Sequence, residues 1–337
     1  MRLNFTVYGS QFTYGWLPEG ARLIGAEAFV AEARKRGFRG AELSHRMLEG
    51  LDDAALSALR AGAEQDGFEL LLSAFGTETE FLRAQLRRAH ALGAAAVRTV
   101  VGGADYGGDR RAFAGGKWRG FLDELRARFE QVMPEAERLK VSLAIENHQD
   151  VNSEDILYFC HHFESERFGT VLDTANPLSV VEHPLDFARA VMPYVKYVHL
   201  KDYIIYWSSE GFRLVRCPVG AGALPLAEMI QLLEQSGRGY SASLELAALE
   251  ARHVRCFADD FWPEYPTRSA AQFAKVMAYV RQHARPASED YRTPFELGST
   301  AAEIATFEEA ELRTSIRLTA ALTGDDGPLT ALTAAGA

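Results

Sequence analysis

The chain has 337 residues, of which 47% are hydrophobic and 24% charged, a composition typical of a globular protein with a sizeable core. Its formal net charge of -10 repels phosphate backbones, so we expect no nucleic-acid partner. No apolar run reaches the roughly 18 residues of a transmembrane helix, and the first residues lack a signal-peptide pattern, so we expect a cytoplasmic protein without a membrane partner.

Short β-like runs alternate with longer helical patterns along the chain. Strands are predicted over residues 3–8, 40–43, 69–74, 97–101, 141–145, 170–172, 195–200 and 242–246. Helices are predicted over residues 26–36, 52–65, 78–92, 121–139, 153–163, 185–191, 226–235 and 270–283. Several strands are continuous apolar runs, which is typical of strands buried on both faces. The alternation therefore predicts an α/β fold, a closed (β/α)8 TIM barrel.

Two regions interrupt this alternation. Residues 203–225 predict a β-hairpin that turns at Ser208 to Gly211, followed by a glycine-rich loop. Residues 286–337 exceed what a barrel needs, and within them residues 299–322 predict a helix that a Gly-Asp-Asp-Gly segment ends. We therefore expect a catalytic barrel over residues 1–285 and a C-terminal extension over 286–337, which packs on the barrel or on a partner.

Acidic and imidazole side chains follow four consecutive predicted strands. They are Glu146, Asp173, His199 and Glu245. Catalytic groups of a barrel sit where its strands end, and neighbouring strands lie about 4.8 Å apart, so these side chains should converge. Three carboxylates in one place repel one another unless a cation lies among them. The pattern predicts a divalent-metal site for Mn²⁺, with Mg²⁺, Co²⁺ or Zn²⁺ as alternatives.

This ordered set of residues resembles the metal site of the xylose isomerase-like TIM-barrel superfamily, which includes sugar isomerases, epimerases and dehydratases. The resemblance covers residues 1–285 and implies the fold and the four metal ligands named above. Two positions depart from the ketose 3-epimerases of that superfamily. Where those enzymes carry a Glu-Pro-Leu-Asn-Arg type segment, this chain has residues 146–149 (Glu-Asn-His-Gln), and where they carry a His, it has Asn176.

Within the superfamily, the chain is most similar to the large subunit of C-glycoside deglycosidases. The similarity lies in the Glu146-x-His148 pair, the absent epimerase segment and the surplus C-terminal residues. It implies a metal-dependent lyase that cleaves the carbon–carbon bond of a 3-oxo C-glycoside. It also implies a small β-sandwich subunit as partner.

Two residues beside the ligands are expected to take part in catalysis. His148 could act as a general base near neutral pH, or it could instead hydrogen-bond a carboxylate ligand. Lys201 could neutralise an enolate oxygen, or it could form an ion pair with Asp202 that braces the loop.

Three further residues are expected to contact the substrate. They are Glu42, Asn147 and Asn176. Glu42 ends the second predicted strand, where it could bind a sugar hydroxyl. The alternative for Glu42 is an ion pair with Arg98 on the fourth strand.

The expected chemistry is removal of a proton beside the carbonyl of a keto sugar, which forms an enediolate. Loss of a neighbouring substituent from that species would make the enzyme a lyase. Reprotonation would instead make it a keto-sugar isomerase or epimerase, and an inosose-type dehydratase is a related alternative. A third alternative is a sugar-binding barrel without catalysis that keeps the metal site as a structural element.

Overall fold

The computed structural model describes residues 1–102, 106–246 and 248–335, so residues 103–105, 247 and the last two of the predicted extension lie outside it. Within the described residues, eight parallel strands close into a barrel in the order β1-β10-β7-β6-β5-β4-β3-β2. These strands are β1 (Arg2–Thr6), β2 (Gly40–Ser44), β3 (Glu69–Ser73), β4 (Ala96–Val100), β5 (Ser142–Glu146), β6 (Phe168–Asp173), β7 (Val195–Leu200) and β10 (Ser241–Leu244). The predicted (β/α)8 barrel is confirmed.

Helices cover the outside of the barrel, so its strands are buried on both faces. They are α1 (Ala26–Lys35), α2 (Asp53–Asp66), α3 (Thr79–Leu92), α4 (Lys117–Leu139), α5 (Ser153–Phe163), α6 (Pro184–Val191), α7 (Leu226–Gln235) and α8 (Ala270–His283). The inside of the barrel is filled by a buried cluster of Leu71, Ala96, Ala144, Val171 and Tyr197, so the barrel is not a pore. No helix in the described ranges combines the length and apolar character that crossing a bilayer requires.

Helix α4 begins at Lys117, earlier than the predicted Phe121. The Glu264 carboxylate accepts the backbone N–H groups of Gly116 (2.8 Å) and Trp118 (3.1 Å). It thereby satisfies donors that the first turn of a helix leaves without an internal partner. Because this cap comes from a distant loop, the local sequence gives no sign of it.

A second, smaller sheet follows the seventh barrel strand. Strands β8 (Asp202–Ser208) and β9 (Gly211–Cys217) pair as the predicted hairpin, with the turn at Ser208 to Gly211. Strand β11 (Arg252–Val254) adds to β9 in antiparallel orientation. The sequence did not predict β11 because three residues are too short for a recognisable period.

The C-terminal extension forms two helices, α9 (Ala301–Thr323) and α10 (Gly327–Ala334). The buried carboxylate of Glu308 accepts hydrogen bonds from the backbone and hydroxyl of Thr13, each 2.9 Å long. The Asp325 carboxylate accepts the backbone N–H of Leu3 at 2.9 Å. These contacts hold the extension against the N-terminal strand of the barrel and the loop that follows it.

The contact between α10 and the barrel can be tested at Gly37, whose φ is 76° and where an added Cβ would lie 2.3 Å from the carbonyl oxygen of Gly327. Gly67 has a similar φ of 67° with open space around it, so it is a matched control. We expect each Gly→Ala change to cost about 1–2 kcal/mol from the left-handed backbone. Gly37→Ala should cost about 1–3 kcal/mol more from overpacking. Equal losses of unfolding free energy in urea would mean that α10 does not press on Gly37.

Candidate metal centre

The four predicted metal ligands meet at the C-terminal end of the barrel. Glu146 ends β5, Asp173 ends β6, His199 lies one residue before the end of β7, and Glu245 directly follows β10. Strand register places Asp173 beside His199. One donor atom of each residue lies within 4.8 Å of the other three, and all four residues are buried.

One donor atom of each ligand makes no hydrogen bond of good geometry with the described residues, although Asp173 Oδ2 lies 2.8 Å from the Lys201 ammonium. These atoms are Glu146 Oε1, Asp173 Oδ2, His199 Nδ1 and Glu245 Oε2. Buried polar atoms are rarely left unsatisfied, because their desolvation goes uncompensated. Three carboxylate oxygens and an imidazole nitrogen are a donor set for a hard or borderline divalent ion. The residues therefore fit a metal at their centre.

The charges of the cluster lead to the same conclusion. Within the described part of the chain, it contains four buried carboxylates, of Glu42, Glu146, Asp173 and Glu245, and two buried cations, Arg98 and Lys201. With His199 neutral, two negative charges remain uncompensated. A divalent cation would balance them.

Arg98 and Lys201 fix the orientation of the carboxylates. Arg98 Nε donates to Glu146 Oε2 at 2.5 Å, and Arg98 Nη1 donates to Ser73 at 2.8 Å. Burial by itself would raise the pKa of Glu146. The Arg98 guanidinium outweighs that effect and holds the pKa of Glu146 well below its usual range. The Lys201 ammonium lies 2.8 Å from Asp173 Oδ2 and also pairs with Glu245. Arg98 therefore holds Glu146 at Oε2 and Lys201 holds Glu245 at Oε1, which leaves the other oxygen of each glutamate facing the centre. Asp173 is held at Oδ1 by the backbone N–H groups of Ala175 and Asn176, and its Oδ2 faces Lys201.

His199 is held by Glu42, which lies on β2. The Nε2 atom of His199 is 2.9 Å from Glu42 Oε2, and the Tyr197 hydroxyl donates to Glu42 Oε1 at 2.9 Å. The carboxylate assigns the ring proton to Nε2, so the Nδ1 lone pair faces the other ligands. His199 Nδ1 lies 2.8 Å from Glu245 Oε2, a contact that a cation or a proton must stabilise. Burial opposes protonation, but Glu42 and Glu146 raise the pKa of His199 well above its usual value.

This geometry corrects two of the sequence-based interpretations. The ion pair between Glu42 and Arg98 is wrong, because Arg98 pairs with Glu146 instead. The expected sugar contact of Glu42 has no support, because its oxygens are taken up behind His199.

Lys201 does not form the expected alternative pair with Asp202, so that interpretation is also wrong. Its ammonium contacts metal-site carboxylates. The Asp202 carboxylate instead accepts backbone N–H groups of Gly222 (2.9 Å) and Leu224 (3.0 Å) in the glycine-rich loop.

The two asparagines have different environments. Asn147 Nδ2 donates to the Asp173 carbonyl at 2.9 Å, and Asn147 Oδ1 accepts the Asp173 N–H at 2.8 Å. This pair of bonds joins the ends of β5 and β6, so Asn147 has a structural role there. Asn176 Oδ1 accepts the Tyr203 hydroxyl at 3.1 Å, while its Nδ2 has no partner among the described residues. Asn176 thus has a free donor next to the cluster.

His148 lies half-buried beside the cluster. Its backbone N–H donates to the Glu146 carbonyl at 3.0 Å, and the following Gln149 has a φ of 60°, so the chain turns sharply here. Its ring lies 6.0 Å from the ring of Tyr106, centroid to centroid. Burial lowers the pKa of His148 to about 4. Within the described ranges no hydrogen bond joins the His148 imidazole to a carboxylate ligand. The alternative role of His148, in which it holds such a ligand, therefore has no support.

Sequence reasoning missed Tyr197, Tyr203 and the true partner of Arg98. Tyr197 precedes His199 by two residues on one strand, so the period-2 pattern could have placed both on the inner face. The hydroxyl of Tyr203 reaches the site only because the β8–β9 hairpin folds toward the barrel, and no local pattern in the sequence indicates that.

Glu42→Gln tests the positioning of His199. We expect the affinity for Mn²⁺ to fall by about 10–100-fold, because the ring loses the carboxylate that fixes its tautomer. Tyr197→Phe, which removes only the second bond to Glu42, is the control and should have a smaller effect. Competition with a fluorescent chelator measures both affinities, and an unchanged affinity in Glu42→Gln would contradict the role of Glu42.

A model of the xylose isomerase-like TIM barrel family matches residues 30–275. A 3-oxo-isoapionate decarboxylase from Pectobacterium atrosepticum is 25% identical over 247 residues, which cover 72% of this chain and 86% of that protein.

Solved structures with the same fold include a D-psicose 3-epimerase from Clostridium cellulolyticum H10, with a TM-score of 0.57, 14% identity, and coverage of 84% of this chain and 99% of that one. A probable 3-DHS dehydratase, AsbF from Bacillus anthracis, has a TM-score of 0.55 at 16% identity, covering 83% of this chain and 98% of that one. The IolI protein with a bound zinc atom has a TM-score of 0.54 at 13% identity, covering 84% of this chain and 99% of that one. The chain belongs to the xylose isomerase-like TIM barrel family.

Proposed function

We propose that this protein is a divalent-metal-dependent lyase that cleaves a carbon–carbon bond of a 3-oxo sugar derivative. The observation that carries the proposal is the convergence of four donor atoms that make no hydrogen bond of good geometry among the described residues, in a cluster that keeps two negative charges when His199 is neutral. Glu146, Asp173, His199 and Glu245 would hold the metal, for which we propose Mn²⁺. When bound, the metal would polarise the 3-oxo group and an adjacent hydroxyl and would stabilise negative charge on them.

The residues around the cluster suit this reaction. Lys201 is fixed by Asp173 and Glu245, so it adds a positive charge close to where an enediolate oxygen would become negative. His148 follows Glu146 by two residues at a sharp turn and is partly exposed, so its imidazole can reach a carbon-bound proton of a substrate. We propose His148 as the proton carrier and Lys201 as the electrostatic stabiliser.

The first candidate reaction is deglycosylation of a 3-oxo C-glycoside. His148 takes the proton from the carbon between the 3-oxo carbon and the anomeric carbon, and an enediolate forms. The electron pair then expels the aglycone, whose ring carbon receives a proton.

A second candidate is decarboxylation of a 3-oxo sugar acid, which the decarboxylase from P. atrosepticum favours. Here the electrons of the carbon–carbon bond to the leaving CO₂ move into the same 3-oxo group. No base is needed, and His148 would supply the proton that the carbon then receives. Both reactions use one arrangement of residues. They differ in the leaving group and in whether His148 first removes a proton or only supplies one.

Free keto sugars are the alternative substrates, and isomerisation, epimerisation or dehydration the alternative reactions. The solved structures of an epimerase and a dehydratase are under 17% identical to this chain, so they support the fold and not these reactions.

We further propose that residues 1–285 form the catalytic unit and that residues 286–337 are an extension that packs on the barrel or on a partner. If the substrate is a C-glycoside, the partner to seek by copurification is a small β-sandwich subunit.

An assay with three substrate types tests the reaction class. Manganese-loaded protein should release aglycone from a 3-oxo C-glycoside or CO₂ from a 3-oxo sugar acid, because both place a leaving group next to the polarised carbonyl. Chelator-treated protein is the control and should release neither. Epimerised D-fructose as the only product would contradict a lyase.

His148→Gln tests the proton carrier. We expect turnover to fall by about 10²–10⁴-fold, the usual contribution of general acid–base catalysis. Metal content should stay unchanged, because the side chain is not among the four ligands. His161→Gln, an exposed histidine on α5, is the matched control. If His148→Gln retained near-wild-type turnover with full metal content, His148 would not carry the proton.

A further inference from the structure

Two arginines lie on the face of the small sheet that points to the metal cluster. Strand register pairs Tyr203 with Arg216 and Leu214 with Arg252, so the side chains of all four share one face. Tyr203 is fully buried on that face, and its hydroxyl donates to Asn176 next to Asp173. The small sheet therefore carries positive charge toward the metal cluster.

Arg252 is buried with unused hydrogen-bonding capacity. It is 2% exposed, Nη1 donates to the carboxylate of Glu250, and Nε has no hydrogen-bond partner among the described residues. Its guanidinium carbon lies 3.6 Å from the centre of the Tyr106 ring, so the guanidinium lies over the face of that ring. A buried arginine normally has its planar fork occupied by carboxylate or phosphate oxygens.

Contacts on both sides of Arg252 lead to the site. On one side, the Tyr106 ring touches that of His148. On the other side, the Tyr203 hydroxyl lies close enough to Lys201, Arg216 and Arg252 for all three cations to lower its pKa, although burial raises the pKa overall. Asn176, whose Nδ2 is also unpartnered and 1% exposed, adds a neutral donor.

The local charge is opposite in sign to that of the whole chain. Burial lowers the pKa of Arg252, and the neighbouring Arg216 lowers it further, while Glu250 raises it. Glu250 is one anion beside Arg252, but it is bound through Nη1, and the Nε side of the guanidinium is left for a second anion. A group of the substrate could supply that anion, because the pair lies beside the cluster where the reaction occurs.

We propose that Arg252, with Arg216 and the Asn176 amide, forms a subsite that binds a carboxylate of the substrate, which selects the second candidate, a 3-oxo sugar acid, over the neutral C-glycoside. This proposal rests on the proposed function for the position of the reacting carbonyl. The planar fork of Arg252 can donate two parallel hydrogen bonds to a carboxylate, which a neutral sugar cannot accept in the same way.

Calorimetric titration of manganese-loaded protein tests the subsite with D-gluconate and D-glucitol, which share a carbon skeleton and differ in the carboxylate. We expect Arg252→Gln to weaken gluconate binding by about tenfold or more, the usual loss for hydrogen bonds to a charged group. Glucitol binding should change less than twofold. If gluconate bound only through the metal, its affinity would be the same in the wild type and in Arg252→Gln, so the comparison isolates the arginine.

Arg213→Gln is the matched control, because it removes the same charge from β9 on the opposite face, where Arg213 lies 4.3 Å from the Tyr291 ring. It should leave gluconate binding unchanged. If Arg252→Gln does not fold, Arg252→Lys keeps the charge and loses the fork, and Arg216→Gln gives an independent test.

Equal gluconate affinity in wild type and folded Arg252 and Arg216 variants, or no gluconate binding to wild type, would overturn the subsite. These outcomes do not depend on turnover. Failure of the proposed function would instead appear as wild-type protein that binds gluconate through Arg252 and cleaves no carbon–carbon bond.

Discussion

The structure depends on a charge imbalance at the end of the barrel. Within the described residues, the cluster holds four buried carboxylates and two buried cations, so two negative charges remain when His199 is neutral. Buried charges without compensation cost several kcal/mol each, even after the protein relaxes around them. Burial already raises the pKa of Asp173 despite the nearby Lys201. A divalent ion at the centre of the cluster would compensate these charges.

The barrel supplies rigid positions for every member of the cluster. Glu42, Arg98, Glu146, Asp173 and His199 all lie on strands, and strand ends are more precise supports than loops. Glu146 and Glu245 each have one oxygen held by a cation, and Asp173 has Oδ1 held by backbone N–H groups, so one oxygen of each ligand is left toward the centre. The barrel therefore holds the ligands before any ion arrives.

Sequence reasoning predicted the elements with a strong period and the ligands that follow them. The short apolar strands and the amphipathic helices were recognisable because their patterns are local, and the four ligands followed from their places at strand ends. What failed was the choice of partners. Arg98 could pair with Glu42 or Glu146, and only the stagger of the barrel strands decides in favour of Glu146. The position of Arg252 on the small sheet could not be predicted either, because β11 is only three residues long and pairs with β9, which is far from it in the sequence.

The division of roles follows from this arrangement. In the proposed function, the ligands and Lys201 would act on the carbonyl that both candidate lyase reactions need, while Arg252 of the small sheet would bind the group attached to it. Differences in substrate between members of the family would then arise in the segments after β7 and β10, where the chain departs from the regular alternation of strand and helix.

The most direct test of the metal centre is anomalous diffraction from crystals grown with saturating Mn²⁺. The account predicts one peak at about 2–2.3 Å from oxygens of Glu146, Asp173 and Glu245 and from Nδ1 of His199. Absence of that peak, with a hydrogen bond between His199 and Glu245 in its place, would mean that a proton and not a metal balances the cluster.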